Sequence, residues 1–358
     1  MITQFHISHT KFWQEHSNEV VVAVDISTCA IRLFFYDSRL ERAIGRSALV
    51  AEPVTADTVV RQLSRLLSMG MKEHSVSASA ITKVGVAAPV HISCFLEEAL
   101  SATDLYLRPD TELKILPFVS ANFSGRMLAA VLSRPKGCRY FVWVDNALAL
   151  FYVDKKAVCA CVQLSGAFDG TSVESGMPCE EGAIDNVSRE KDGTICYSVV
   201  NDVDSLGISP SGVVTAISLM ASRGVVDEDG IMTDRDLFYI GEDYYISQSD
   251  VRAVQMDKAR CAAGIELFEK KSEINTMAAL GGEVFALNGV SAMTSIGAIP
   301  ERMSYVHAEP RAVEWGTVAY LTDEAVQLEA ERFCEQTNDI SEEILADFDD
   351  LYIKNLSF

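Results

Sequence analysis

Positive charge is the scarce component of this chain: 51 Asp and Glu stand against 30 Lys and Arg, a net charge of −21. That balance opposes contact with phosphate backbones and anionic membranes, so neither nucleic acid nor membrane is an expected partner. Also missing is any pair of cysteines at the CxxC spacing of zinc and iron–sulfur sites, although nine cysteines are present (29, 94, 138, 159, 161, 179, 196, 261 and 334). Cys159 and Cys161 share one face of an expected strand, and core thiols in a reducing compartment account for the set. The six histidines are scattered, with no carboxylate cluster beside His6, His9 or His16. No run of 18 apolar residues occurs, and the polar opening MITQFHISHTKFWQEH lacks a signal-peptide core, so the expected location is cytoplasmic. Proline is sparse, 9 residues in 358, while 49% of the chain is hydrophobic, enough for a well-cored protein of two lobes.

What is present is organised around Glu19–Asp37, EVVVAVDISTCAIRLFFYD. Val20–Val24 reads as a buried strand, Asp25-Ile26-Ser27-Thr28 as a tight polar turn, and Ala30–Tyr36 as the returning strand. An Asp leading into hydroxyl residues on such a turn can hold a nucleotide's phosphates. The carboxylate anchors a hydrated metal, while turn N–H and O–H groups face the phosphate oxygens. The same residues also make an ordinary core hairpin with a polar turn, and on this stretch alone that is the preferred reading.

Further along, Ala56–Met69 places Val59, Val60, Leu63, Leu66 and Leu67 at helical spacing, and Ile81–Val86 and Leu113–Phe118 read as strands. Ser124–Leu132 reads as a helix ending near Pro135, which closes a first α/β lobe. The second opens as the first did: strand Tyr140–Val144, the turn Asp145-Asn146-Ala147, return strand Leu148–Val153, with Val158–Leu164 as a third. This points to an internal duplication, with an Asp-led hairpin heading each lobe. The loop SGAFDGTSVESGMPCEEGAI carries glycines at 166, 170, 176 and 182 and suits either close approach of backbone to ligand or a plain surface loop. Ser209-Pro210-Ser211-Gly212 precedes a helix over Val213–Arg223, and a normal capped helix start is the simpler reading. A long helix covers Val251–Lys270, and Met277–Leu280 runs into Gly281-Gly282, a turn against which a ring can lie. The tail over 324–358 holds a helical segment and the acidic SEEILADFDD, expected as a solvated face.

In order, these segments resemble the C-terminal ATPase-like domain of the reductive activators of corrinoid proteins, in the acetate and sugar kinase/Hsp70/actin superfamily. VDIST (24–28) stands where the family has VDIGTT, and LKILPFVSANFSG (113–125) where it has a strand, Leu-Pro and a glycine-bearing helix start. GAFDG…SGMPCEEGAI (166–184) corresponds to GPAFEG…GM…GAI, and LGISPSGVV (206–214) to GICGSGL. ISQSDVRAVQMDKARCAAGIELF (246–268) follows the ITQ-D-R-Q-K-A–AGI pattern, and LGGEV with IGAIP (280–300) echoes AGGFG with IGLLP.

The resemblance implies two ribonuclease-H-like α/β lobes of the actin, Hsp70 and sugar-kinase type around a central cleft. The expected division is a lead-in over 1–18, a first lobe over 19–135, and a second over 136–358 with a helical insertion and the acidic tail. It further implies candidate nucleotide-binding residues: Asp25, Ser27, Thr28, Asp145, Asn146, Gly166, Gly170, Ser211, Gly212, Gly281 and Gly282. Asp25 and Asp145 would be the magnesium anchors of a bound Mg-ATP, brought close across the cleft. No residue stands out as catalytic. Members of that family use ATP hydrolysis to drive uphill electron transfer to a cob(II)alamin protein, the electron arriving from a [2Fe-2S] ferredoxin domain. No ferredoxin cysteine set precedes the first hairpin, so no iron–sulfur cluster is expected and the chain alone is not expected to be a complete activator.

Departures from the family fall on the phosphate turns. The family glycine is Ser27 and the second threonine is Cys29. The turn Asp-x-Gly-Thr-Asn-Gly is Asp145-Asn146-Ala147-Leu148-Ala149-Leu150, which removes both glycines and the hydroxyl. Pro210 deletes a backbone donor from GISPSG, and Glu283 puts a carboxylate in the last glycine motif. The leading expectation is therefore a degenerate ATPase-like protein, dimeric, that binds a corrinoid protein or its methyltransferase. The alternatives are an ATP-hydrolysing activator component working in trans with a separate [2Fe-2S] protein, and a small-molecule kinase.

Overall fold

The structure is a computed structural model, and it describes residues 6–50, 54–233, 236–307 and 311–358. They form two compact units, one holding 6–134 with 311–339 and the other 135–307 with 340–358. In chain order the first part comprises β1 (His6–Lys11), β2 (Val20–Ile26), β3 (Ala30–Asp37), β4 (Arg42–Val50), α1 (Ala56–Glu73), β5 (Ile81–Ala87), α2 (Val90–Ala99), β6 (Glu112–Ile115) and α3 (Gly125–Leu132). There follow β7 (Tyr140–Val144), β8 (Ala147–Val153), β9 (Ala157–Gln163), β10 (Ala183–Arg189), β11 (Ile195–Val199), β12 (Gly207–Ile208), α4 (Pro210–Ser222), β13 (Leu237–Ile240), β14 (Tyr244–Ser247) and α5 (Gln248–Lys271). The remainder is β15 (Ala278–Gly281), α6 (Gly289–Ser295), β16 (Tyr305–His307), α7 (Ala312–Thr322), α8 (Glu324–Gln336), α9 (Ser341–Ala346) and α10 (Phe348–Lys354).

In the first unit the sheet runs β1-β4-β3-β2-β5-β6, with β2, β3 and β4 an antiparallel meander and β5 and β6 parallel to β2. Every residue of β2 is buried, as a strand covered on both faces requires. Val22, Val24, Leu33 and Phe35 meet Leu63 and Leu67 of α1 on one face. Val21, Ala23 and Phe34 meet Val318 and Leu321 of α7 on the other. In the second unit the order β16-β15-β7-β8-β9 repeats the plan, an antiparallel meander β7–β9 joined to parallel β15 and β16. Its core gathers Val142, Val144, Leu148 and Leu150 with Val254, Cys261, Ile265 and Phe268 of α5. Two sheets of one topology are the duplication that the paired Asp-led hairpins announce.

Three features differ from the sequence reading. The stretch expected as a lead-in contains β1, an edge strand paired with β4 from His6↔Val50 to Lys11↔Gly45. Residues 311–339 return to the first unit, where α7 crosses α3 so closely that a Cβ on Gly316 would lie 1.7 Å from the Ala129 carbonyl oxygen. The acidic tail is half structural: Ser341, Ile344 and Phe348 are buried while its carboxylates face out. Among the described residues no helix is long and apolar enough to cross a membrane.

Candidate functional site

Asp25 is the last residue but one of β2, and the β2–β3 register sets it directly opposite Arg32. The carboxylate is 4% exposed and accepts from three guanidinium N–H groups. Arg32 Nη1 is 3.1 Å from Oδ2, Arg126 Nε is 2.5 Å from Oδ1, and Arg126 Nη2 is 3.3 Å from Oδ2. Both arginine side chains are almost as buried, at 7% and 5%. Burial pushes the Asp25 carboxyl up, but the charges and hydrogen bonds of Arg126 and Arg32 outweigh it and hold the group below its ordinary value. Both oxygens of the expected metal anchor are thus engaged by protein. The triad carries two positive charges against one negative, the inverse of what a magnesium ion needs.

The rest of the first turn closes on itself. Ser27 N–H donates to the Ala30 carbonyl at 2.8 Å, and the Ser27 hydroxyl accepts from Ala30 N–H at 3.0 Å. Thr28 is exposed, and its carbonyl accepts from Val54 N–H. Sequence reasoning missed Arg32 and Arg126. The signal was there: an arginine inside the apolar run AIRLFF must meet an acid when the strand is buried.

The other candidates lie in the second unit. Asp145 and Asn146 are half-buried; Asp145 N–H donates to the Ala147 carbonyl and the Asn146 carbonyl accepts from Leu164 N–H, so this turn too is closed by its own backbone. Leu148, where the family has a donor, is fully buried against Gly264 of α5. Ser209 caps α4 by accepting from Gly212 N–H, and Ser211 Oγ donates to the Asp185 carbonyl at 2.8 Å. Gly212 faces the Ile184 carbonyl oxygen, 2.2 Å from where a Cβ would stand.

The glycine loop after β9 is tied down by carboxylates of α5. Asp257, fully buried, accepts from Ser165 N–H at 2.7 Å and Ala167 N–H at 3.1 Å, and Asp250 accepts from Glu174 N–H at 2.9 Å. Burial raises the Asp250 carboxyl above its ordinary value despite these bonds. Gly166 and Gly170 adopt positive φ, and each packs on protein, Gly166 on Thr171 and Gly170 on the Met177 backbone. Gly282 has φ +123° with a Cβ position 2.1 Å from the Val144 oxygen, and Gly281 packs on Phe141. Beside them Glu283 Oε2 accepts from Cys179 N–H at 2.9 Å. Gly289 places Ser211 Cβ 3.6 Å from its own Cβ position, so the start of α4 and the Gly281–Gly289 turn do come together. At each of the five candidate glycines a Cβ would therefore meet protein, so packing alone already requires glycine there. Among the described residues no group of three or more His, Cys, Asp or Glu is arranged to hold a metal ion.

Topology and paired turns together define a protein of the actin, Hsp70 and sugar-kinase class. A family model described as the C-terminal ASKHA domain of RACo matches residues 146–358, more than half of the chain, and the chain belongs to that family. It is similar to a corrinoid activation enzyme, RamQ of Eubacterium limosum, with 26% identity over 205 residues, covering 48% of this chain and 34% of the relative. A solved reductive activator for a corrinoid, iron–sulfur protein superposes with a TM-score of 0.81 at 16% identity, over 95% of this chain and 66% of that one. The chain thus spans about a third of the curated relative and about two thirds of the solved one.

Proposed function

We propose that this protein is a nucleotide-independent member of the corrinoid-activator family, acting as a binding or regulatory partner of a corrinoid protein or its methyltransferase without turning over ATP. The observation that carries this reading is the buried triad of Asp25 with Arg32 and Arg126, in which guanidinium groups engage both oxygens of the carboxylate expected to anchor a metal. The internally bonded turns at Ser27, Asp145 and Ser209 support it. Relation to a corrinoid activation enzyme supports the choice of partner class.

The test is thermal unfolding with and without millimolar Mg-ATP and Mg-ADP, alongside sedimentation with a purified cob(II)alamin-loaded corrinoid protein. A ligand at 100 times its dissociation constant adds about 2.7 kcal/mol to stability and raises the midpoint visibly. The expected result is no shift with nucleotide and co-sedimentation with the corrinoid protein. A clear nucleotide shift would overturn this reading in favour of an ATPase working in trans with a [2Fe-2S] protein, and sugar- or acid-dependent ADP release would favour a kinase.

A further inference from the structure

Acidic charge is not spread evenly over the chain. Residues 171–250 hold sixteen Asp and Glu against four Lys and Arg, so this short stretch carries more than half of the net −21. It is also where large apolar side chains stand in solvent: Tyr197 is 42% exposed, Val203 43%, Leu206 46% and Tyr239 53%.

These residues come from three segments held together by specific contacts. Tyr244 of β14 donates its hydroxyl to the Ser205 carbonyl at 2.6 Å, tying the β13–β14 hairpin to the loop after β11. The hairpin's Gly241 abuts Tyr197 of β11, whose hydroxyl oxygen lies 3.0 Å from the Gly241 Cβ position. Leu206 rests on Gly182 at the start of β10. Tyr239 and Tyr245 are cross-strand partners with rings 5.9 Å apart, edge to face, so both stand on one side of the hairpin. Around this apolar surface Glu174, Asp202, Asp204, Glu242 and Asp243 are all exposed. Glu174 accepts from the Tyr245 hydroxyl at 3.0 Å, which places one carboxylate at the edge of the aromatic pair.

We propose that this face docks a protein whose contact surface is apolar at its centre and lined with Lys and Arg at its rim. Charge selects the occupant. Nucleic acid and anionic lipid are repelled by the carboxylates, and a second copy of a −21 chain brings the wrong sign to the rim. Tyrosines suit such a role because they bury large area with little conformational freedom to lose. The inference rests on the binding reading above and gives the partner's chemistry.

The probe is a short amphipathic helical peptide with Leu and Phe on one face and Lys and Arg on its flanks, followed by fluorescence anisotropy on the whole chain. Polylysine, and the same peptide with Ser for Leu and Phe, serve as controls. Tyr239→Ser, Tyr197→Ser and the pair Glu242→Gln, Asp243→Asn change exposed side chains, and an unchanged melting midpoint shows that each variant is folded. The expected result is salt-sensitive peptide binding that each variant weakens about tenfold or more, with neither control binding as well. Equal binding of polylysine, or of peptide by parent and variants, overturns the proposal, as does a dimer that Tyr239→Ser converts to monomer. If a corrinoid protein co-sediments undiminished with these variants, this surface fails while the binding reading stands. If peptide binds the patch but no corrinoid protein co-sediments, the surface stands and the functional reading fails.

Discussion

Removing the Asp25 carboxylate tests the triad directly, because it leaves two guanidinium groups buried together. Arg32 and Arg126 are 7% and 5% exposed, so water cannot replace the lost partner without opening the β2–β3 turn or the start of α3. Breaking a buried ion pair from one side costs about 3–5 kcal/mol, a large share of the roughly 5–15 kcal/mol that holds a domain folded. Asp25→Asn is therefore expected to lower urea stability by about that amount, with little change in the denaturant slope. Arg126→Met leaves the Asp25–Arg32 pair neutral and should cost less. The measurement belongs at pH 7: a carboxyl held below its ordinary value contributes stability above the ordinary value and loses it only as pH falls through the lowered one. A functional metal anchor behaves in the opposite way, since an acid kept for a ligand is a burden on the unliganded fold. Asp25→Asn costing under about 1 kcal/mol, or Arg126→Met costing more than Asp25→Asn, would refute the triad as a structural replacement.

His74 is fully buried, and burial pushes its imidazole down to about 4 from an ordinary 6.5. Unfolded chains bind the extra proton, so stability should fall as pH drops from about 6.5 to about 4, by at most about 3 kcal/mol; His74→Gln should lack that slope, and an unchanged slope would rule His74 out as its source. Burial alone lowers the Lys258 ammonium to about 8, so stability should rise between about pH 8 and the ordinary lysine range, and Lys258→Met should flatten that rise in pH-dependent melting. Gly316→Val must drive a side chain into the Ala129 carbonyl at the α3–α7 crossing, and a loss of about 3 kcal/mol or more is expected from the melting midpoint. A loss near zero would mean that the crossing has room to open.

The repeating plan was readable because it is written in local pattern. β2 is an apolar β-branched run and β7 an apolar aromatic one, each leading into an Asp-led turn and a second run, and the structure pairs both as antiparallel hairpins. α1 and α5 followed from helical spacing, α5 starting at the Ser247–Asp250 capping box. What escaped was partly weak local signal and partly non-local. The strand expected over 113–118 stops at Ile115, since Pro117 two residues on has no N–H for the ladder. α2 was unmarked because Val90–Ala99 buries only Ile92, Ser93 and Leu96, a stripe too thin to announce a helix. The return of α7 to the first sheet depends on Glu314 meeting Arg46 at 2.6 Å, a pairing 268 residues apart that no window of sequence displays. The five candidate glycines could be located from sequence, but not the backbone and side chains packed against each of them.

Ligand sites in folds of this kind leave donors to be satisfied when the ligand arrives; here the chain satisfies them itself. Ser165 and Ala167 donate to Asp257, Glu174 to Asp250, Cys179 to Glu283, and Ser27 to Ala30. Three of these acceptors are carboxylates, each of which repels an approaching phosphate as well as occupying the N–H it would need. A ligand that needs any one of these N–H groups must first break its internal bond, at about 1 kcal/mol net and more where the acceptor is charged. The same bonds hold the glycine loop and both turns in shape without any ligand. On the reading proposed above, the fold keeps the family's outline without needing ATP to complete it, the condition that a binding partner must meet.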